Sequence, residues 1–234
     1  MSKKAICLLS DGLDSPVATF LLEKTGIEVI GINFNNNPFV GLREKSNHNN
    51  SPKDESSERN SKQIKNIAQT LLDTFKKQEK FTLYRMPHGE DLRQIIEQSK
   101  DNKITCVLCK RLMLRKAKFV ATKLKADIIA TGDILGEQAS QTIDNLQVIQ
   151  EVLKDIQLIR PNLGLNKEEV IEIARKIGTY QFSELAAKFT CLAVPNKPAT
   201  VVSLDRVEKA EQKLEIEDMV KSSWNQVEKF TFRK

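Results

Sequence analysis

The chain has 234 residues, 40% of them hydrophobic and 29% charged, enough to bury the core of one large domain. This composition excludes a collagen, a coiled coil and a wholly disordered chain, and no apolar run approaches the roughly 20 residues that a membrane helix needs. The net charge of +6 permits an acidic partner such as RNA without identifying one, and four cysteines do not make a disulfide scaffold.

The first 34 residues predict a strand, a helix and a second strand in succession. Lys4–Leu9 is a short apolar run of the kind that a strand buried on both faces requires. A helix follows, with Pro16 in its first turn, and it ends near Gly26. Ile27–Phe34 is the second strand. This order is typical of an α/β fold with right-handed crossovers.

The rest of the chain continues the alternation after a polar stretch, residues 35–60, which we interpret as a long surface loop. Three further strands are predicted, at Phe81–Met86, Asp127–Thr131 and Ile156–Ile159, with helices between them. The fold class is therefore α/β, an open parallel sheet of about five strands with helices on both faces. Residues 1–200 are predicted to form this domain, and residues 201–234 a charged helical tail packed on it.

The turn after the first strand is a candidate phosphate-binding loop. Between a buried strand and the start of a helix, several backbone N–H groups and the positive end of a helix dipole face one point. A glycine permits close approach of phosphate oxygens, serines donate hydrogen bonds, and an aspartate there suits Mg²⁺. An ordinary helix cap is the alternative. The loop consists of Ser10, Asp11, Gly12, Leu13, Asp14 and Ser15.

A second polar loop follows the Asp127–Thr131 strand, and ligands of open α/β sheets lie beyond the carboxyl ends of the strands. Asp133 is a candidate Mg²⁺ ligand, together with Asp14. A plain polar loop is the alternative. The predicted nucleotide contacts outside the first loop are Asn33, Phe34, Thr131, Gly132, Asp133 and Gln138.

Two cysteines three positions apart precede a pair of basic residues. In a chain with few cysteines, Cys106 and Cys109 indicate metal, cluster or sulfur chemistry, since positions three apart share a helix face. Lys110 and Arg111 are placed to stabilise a phosphate transition state or leaving pyrophosphate. Cys7 is interpreted as core packing. His48 and His88 are both predicted to be exposed in loops.

The first loop with its trailing Pro-Val-Ala resembles the Ser-Gly-Gly-x-Asp-Ser loop of the PP-loop ATP pyrophosphatases, in the branch that makes 4-thiouridine in tRNA. The loop beginning at Thr131 resembles the family's Thr-Gly-Glu-Ser-Leu-Gly-Gln-Val-Ala-Ser-Gln-Thr segment, and Cys106–Arg111 its Cys-x-x-Cys-Lys-Arg element. Asp11 departs from the family, which has glycine there, and an added carboxylate should weaken ATP binding unless it faces away. The resemblance covers roughly residues 4 to 220.

What the resemblance implies about sulfur involves a third cysteine, Cys191. Family variants with this cysteine carry a cluster, so Cys106, Cys109 and Cys191 would hold a [4Fe-4S] cluster with one open iron. Zinc, a persulfide with a resolving disulfide, and a purely structural role are the alternatives. Asp14, the three cysteines, Lys110 and Arg111 would then be the catalytic residues.

The activity implied is adenylation of a uridine carbonyl by ATP, with Mg²⁺, followed by sulfur insertion. A rival is an enzyme of the same fold that adenylates a small carboxylate, and another is a nucleotide-binding subunit without catalysis. The chain begins at the first strand of the catalytic domain, so tRNA is expected to be bound through a separate RNA-binding protein or domain. A sulfur donor is also expected, and whether the chain forms a homodimer is left undecided by the sequence. The N-terminus has no signal-peptide pattern, which predicts a cytoplasmic protein.

Overall fold

The computed structural model describes residues 3–42 and 53–234, except for the side chains of 53–57. The prediction for His48 lies outside these residues. Six strands of the described residues form one sheet in the order β6-β5-β1-β2-β4-β8, and two more form a short antiparallel pair, β3 with β7. The strands are β1 (Lys4–Leu8), β2 (Glu28–Asn35), β3 (Val40–Leu42), β4 (Lys80–Pro87), β5 (Ile128–Ala130), β6 (Gln157–Ile159), β7 (Phe189–Cys191) and β8 (Glu228–Arg233).

Helices connect these strands and cover both faces of the sheet. No helix within 3–42 and 53–234 combines the length and the apolarity that crossing a membrane would take. The helices are α1 (Asp14–Lys24), α2 (Lys53–Thr74), α3 (Gly89–Ser99), α4 (Thr105–Leu124), α5 (Ile143–Gln150), α6 (Lys167–Lys176), α7 (Tyr180–Ala186), α8 (Leu204–Glu211) and α9 (Ile216–Asn225).

The sheet separates two hydrophobic cores. Alternate residues of β1 face opposite sides, so Ile6 joins one core while Ala5 and Cys7 join the other. The first core is built with α3, α4, α5, α8 and α9, and the second with α1, α2 and α6. The five strands from β6 to β4 pair in parallel, as predicted, because each crossover passes through a helix that buries one face on the sheet.

The C-terminal segment differs from the predicted helical tail. Its two helices are present, but residues 228–233 add β8, antiparallel to β4, as the sixth strand. Phe230 and Phe232 pack on the second core, so alternate residues of β8 are half-buried. This strand was missed because its short alternating pattern follows a charged helix, and its partner lies far away in the sequence.

Residues 35–60 are not one continuous loop. β2 extends to Asn35, β3 occupies Val40–Leu42, and α2 begins at Lys53, inside the predicted loop. Residues 43–52 lie outside the described part. β3 pairs with β7, and Val40 lies opposite Cys191. This pairing matters for function, because β3 follows directly from the end of β2 and brings Cys191 to that edge of the sheet.

Arg111 is placed in the first core and not at the phosphate loop, which corrects its predicted role. Its Nε and Nη2 atoms each donate to the Glu211 carboxylate of α8 at 2.8 Å, and its side chain is only 3% exposed. Adjacent helix residues point about 100° apart, so Lys110 and Arg111 face different surroundings. Arg115 donates to the same carboxylate. Arg111 therefore anchors α8 to α4.

We expect Glu211→Ala to lower the free energy of unfolding by about 3 kcal/mol, because it leaves the buried Arg111 guanidinium without a counter-charge. Burial raises the pKa of Glu211, but hydrogen bonds from Arg115 and Arg111 outweigh it and lower the pKa overall. Urea denaturation measures the effect. Glu208→Ala, an exposed change on the same helix, should stay within about 0.5 kcal/mol of the wild type. Equal stability of the two variants would contradict the anchoring role.

Candidate nucleotide and sulfur site

The loop between β1 and α1 is closed by its two serines. The Ser10 backbone N–H donates to Ser15 Oγ at 2.8 Å, and the two hydroxyl oxygens lie 2.9 Å apart. No side chain caps the N-terminus of α1, where Leu13 is the capping residue. The first-turn N–H groups of this helix are therefore available to an anion, as the sequence predicted.

The second loop packs directly on the first. A Cβ atom added at Gly132 would lie 2.7 Å from the Ser15 backbone nitrogen and Cα, so only glycine allows the two loops to approach this closely. The segment after β6 also contacts the first loop, because Asn162 Nδ2 donates to the Asp14 carbonyl at 2.7 Å. The expected meeting of the β1 and β5 loops at the carboxyl edge of the sheet is confirmed.

A cavity of about 350 Å³ opens at this meeting point. Its lining combines polar groups of the two loops and Lys110 with apolar side chains that include Met113 and Ile149. This combination suits a nucleotide, whose phosphates and base differ in polarity. Predicted residues that line it are Ser10, Gly12, Asp14, Ser15, Asn33, Phe34, Lys110, Thr131, Gly132, Asp133 and Gln138.

Lys110 is held at this cavity by Asp133. Its Nζ donates to Asp133 Oδ1 at 2.8 Å, and Arg160 approaches the other carboxylate oxygen at 3.4 Å. Burial raises the pKa of Asp133, but the charge and hydrogen bond of Lys110, with hydrogen bonds from Thr131 and Gln141, lower it to about 2. Because the folded pKa is depressed, this ion pair persists at neutral pH and is lost only as pH falls toward about 2.

Asp14 is the carboxylate with more freedom to meet a cation. One of its oxygens accepts from Lys167 at 2.9 Å, and its side chain is 24% exposed at the cavity. Asp133, by contrast, is surrounded by the four donors just described. Lys167, the first residue of α6, was missed because nothing in its local sequence indicates a contact with Asp14.

Two predicted residues of the first loop do not face the larger cavity. Leu13 packs on the second core and contributes only its backbone to the loop. Asp11 lines a second, smaller cavity of about 180 Å³, and its Oδ2 accepts a hydrogen bond from Asn60 at 3.0 Å. The added carboxylate therefore faces away from the nucleotide cavity, which removes the reason to expect weakened ATP binding.

The second cavity connects the nucleotide site to sulfur. It is lined by Cys191 and Thr190 of β7 and shares several residues with the first cavity. Cys106 and Cys109 lie in the first two turns of α4. Burial raises the pKa of each thiol, and the charge of Cys191 raises it further. Burial raises the pKa of Cys191 as well. The influence of Cys191 on both thiols indicates that the three cysteines lie near one another.

His88 is fully buried, so the prediction that it is exposed is wrong. Its Nε2 lies 3.3 Å from Cys109 Sγ, and its Nδ1 lies 3.0 Å from Lys116 Nζ. Lys116 is in turn paired with Asp91. Burial lowers the pKa of His88 well below its usual value, and the charge of Lys116 lowers it further. A histidine following a strand gave no sequence signal for this packing.

The residues of this cysteine group do not fit a metal or cluster. Among the residues that the structure describes, no three His, Cys, Asp or Glu side chains are disposed as ligands of one metal ion. The three thiols are neighbours, but they do not form a ready ligand set for iron–sulfur or zinc.

The fold and the candidate site together define an α/β protein with a PP-loop and an adjacent cysteine group. The family model described as thiamine biosynthesis protein (ThiI) matches residues 1–216. The chain belongs to this family.

Curated relatives agree over most of the chain. A probable tRNA sulfurtransferase of Methanosarcina mazei is 37% identical over 217 residues, covering 93% of this chain and 49% of the relative. A protein of the same name from Clostridium perfringens is 31% identical over 233 residues, covering 99% of this chain and 55% of the relative. The chain thus spans about half the length of the curated relatives it matches.

Solved structures support the same assignment. A 4-thiouridine synthetase, solved as an RNA complex with bound ATP, has a TM-score of 0.85 and 26% identity, covering 99% of this chain and 55% of that one. NMN synthetase from Francisella tularensis matches at 14% identity with a TM-score of 0.53. The match covers 96% of this chain and 84% of the synthetase chain, and it supports the fold alone.

Proposed function

We propose that this chain performs ATP-dependent thiolation of a uridine in tRNA. The observation that carries the proposal is the contact between the two cavities, one at the phosphate loop and one at Cys191. A substrate that is first activated by ATP and then attacked by sulfur must reach both chemistries without moving far. The names of the relatives, tRNA sulfurtransferase and 4-thiouridine synthetase, support tRNA and ATP as substrates.

In the first step, a uracil carbonyl oxygen attacks the α-phosphorus of ATP. The new O–P bond forms as the bond to pyrophosphate breaks, and the ring loses its N3 proton. The N–H groups at the start of α1 bind phosphate oxygens, and Lys110 stabilises the negative charge on the leaving pyrophosphate. Asp14 is the residue that would hold Mg²⁺, which neutralises phosphate charge when bound.

In the second step, sulfur replaces the activated oxygen. A persulfide on Cys191 attacks the ring carbon, the carbon–oxygen bond breaks and AMP leaves. A thiolate of the Cys106 and Cys109 pair then attacks the Cys191 sulfur, which forms a protein disulfide and releases the thiocarbonyl base. A sulfur-donor protein supplies the persulfide sulfur, and a dithiol reductant restores the two thiols with two electrons. The setting we propose is the cytoplasm, where such reductants are abundant.

Exchange of radiolabelled pyrophosphate into ATP tests this function. We expect exchange that depends on unmodified tRNA, and 4-thiouridine in the tRNA when a persulfide donor is added. Exchange supported by a small carboxylate without tRNA would favour the carboxylate-adenylating rival, and ATP binding without any exchange would favour a non-catalytic subunit. Neither rival has support from the relatives, which carry the sulfurtransferase name across most of the chain.

A further inference from the structure

A buried chain of polar side chains lies behind the cysteine group, and no step of the proposed mechanism uses it. It runs from Cys109 of α4 through His88 and Lys116 to Asp91 of α3. The side chains of His88 and Lys116 are both 0% exposed. Ser223 of α9 donates to Asp91 Oδ2 at 3.2 Å, so three helices hold this chain in place. Burying an ammonium group is costly, and the side chain that this group orients is His88.

Lys116 determines which nitrogen of His88 carries the proton. Its ammonium group has three N–H donors and no acceptor. The three groups that accept from it are the Pro87 carbonyl at 3.0 Å, the Asp91 carboxylate, and His88 Nδ1 at 3.0 Å. His88 Nδ1 is therefore the nitrogen without a proton, and Nε2 carries the hydrogen of the neutral ring. This N–H lies 3.3 Å from Cys109 Sγ and donates to the sulfur.

The ring of His88 is also fixed by the ends of two strands. Its backbone N–H donates to the Asn35 carbonyl at 2.9 Å, which joins the ends of β4 and β2. The Phe34 ring lies 5.5 Å from the imidazole at an interplanar angle of 57°. Among the residues that the structure describes, the sulfur of Cys106 has no comparable hydrogen-bond donor. The two cysteines of α4 therefore differ, because a fixed N–H can stabilise charge on Cys109 alone.

We propose that His88, oriented by Lys116 and Asp91, is a positioning residue that makes Cys109, and not Cys106, the thiol that attacks Cys191. This inference rests on the proposed function and identifies the thiol that completes its second step. Negative charge develops on the Cys109 sulfur as this thiol loses its proton. A hydrogen bond from the His88 N–H to the charged sulfur is stronger than one to the neutral thiol, so it favours attack by Cys109.

The bonds and protons of this step balance. The Cys109 sulfur bonds to the Cys191 sulfur, and the bond from Cys191 to the sulfur on the base breaks with both electrons going to the base. The base takes its thiocarbonyl form and regains at N3 the proton that it lost during adenylation, supplied by the Cys109 thiol. The dithiol reductant then returns the protein disulfide to two thiols with two electrons. His88 keeps its Nε2 proton throughout and only donates a hydrogen bond.

Identifying the first protein disulfide tests the assignment without any substitution. Wild-type protein charged with glutathione persulfide is mixed with ATP and unmodified tRNA and quenched in acid before one turnover is complete. Mass spectrometry of the peptides then shows which cysteines are linked. We expect a disulfide between Cys109 and Cys191. A disulfide between Cys106 and Cys191 at the earliest times overturns the inference, and so does thiolated tRNA that forms without any disulfide at Cys191.

Two amide substitutions of His88 test the N–H itself. Gln places an amide N–H near the position of the His88 Nε2 atom, whereas the shorter Asn places it near Nδ1. We expect His88→Gln to form the thiolated base within about threefold of the wild-type rate, and His88→Asn to be about 10 to 100 times slower. Pyrophosphate release should be the same in both variants, because adenylation precedes this step. Equal rates of thiolation in the two variants would make His88 a packing residue and overturn the inference.

The matched control is Asn145→Ala, which also removes a buried polar side chain. Asn145 is fully buried, its Nδ2 donates to two backbone carbonyls, and it lines neither cavity. Its ratio of thiolation to pyrophosphate release should equal that of the wild type. A ratio as low as that of His88→Asn would assign the effect to lost packing and contradict the role of His88. Wild-type protein that releases no pyrophosphate with tRNA would instead refute the proposed function, whereas thiolation through Cys106 would overturn this inference alone.

Discussion

Cys191→Ser is expected to abolish thiolation, by more than about 10³-fold, while leaving most of the tRNA-dependent pyrophosphate release. In the proposed mechanism, adenylation uses the phosphate loop and Lys110, whereas the persulfide of Cys191 acts only afterwards. The thiolated nucleoside is measured by chromatography of digested tRNA, and pyrophosphate by an enzyme-coupled assay. The variant should accumulate adenylated tRNA or AMP, because activation continues without sulfur.

Cys7→Ala is the control for this experiment. Cys7 is buried in β1, burial raises its pKa to about 12, and no step of the proposal uses it. It should thiolate tRNA like the wild type. Thiolation that survives in Cys191→Ser would contradict the role of this cysteine. If anaerobically purified wild-type protein shows the visible absorption of an iron–sulfur cluster and Cys191→Ser lacks it, the sulfur carrier is a cluster and not a persulfide.

Lys110→Ala is expected to lower the rate of pyrophosphate release by about 10² to 10³-fold. The ammonium group lies at the nucleotide cavity, held by Asp133 at 2.8 Å, where charge develops on the leaving group. The loss should fall mainly on kcat, since this charge is greatest in the transition state. Lys110→Arg keeps the charge and should recover part of the rate.

Lys123→Ala, an exposed change in the last turn of the same helix, provides the comparison. It should leave both kcat and KM at wild-type values. Thermal unfolding of all three variants shows whether the helix is intact. Pyrophosphate release by Lys110→Ala at the wild-type rate would remove Lys110 from the chemistry and leave it as a structural partner of Asp133.

Much of the site could be predicted because its parts are local in sequence. The strand, turn and helix around Ser10–Ser15 are contiguous, so their pattern alone indicated an anion-binding turn. Asn166 and Glu169, three positions apart, form the reciprocal cap of α6, whose signal is equally local. The parallel order of strands then placed the β1 and β5 loops at one edge, as general rules for such sheets require.

What only the tertiary structure decided is the direction of side chains and the partners of distant segments. Lys110 and Arg111 are neighbours with the same charge, yet one reaches the nucleotide cavity and the other a buried carboxylate of α8. Asp11 faces the second cavity, and His88 is buried against Cys109.

The sequence by itself therefore determined the fold class, the phosphate loop and the residues of the cysteine group. The tertiary structure decided that Cys191 reaches the edge of β2 through the pairing of β7 with β3, and that β8 completes the sheet beside β4. The physical reason is the range of the interactions. Turns, caps and apolar periodicity act between near neighbours, whereas strand pairing and side-chain burial depend on groups that meet only after the chain has folded.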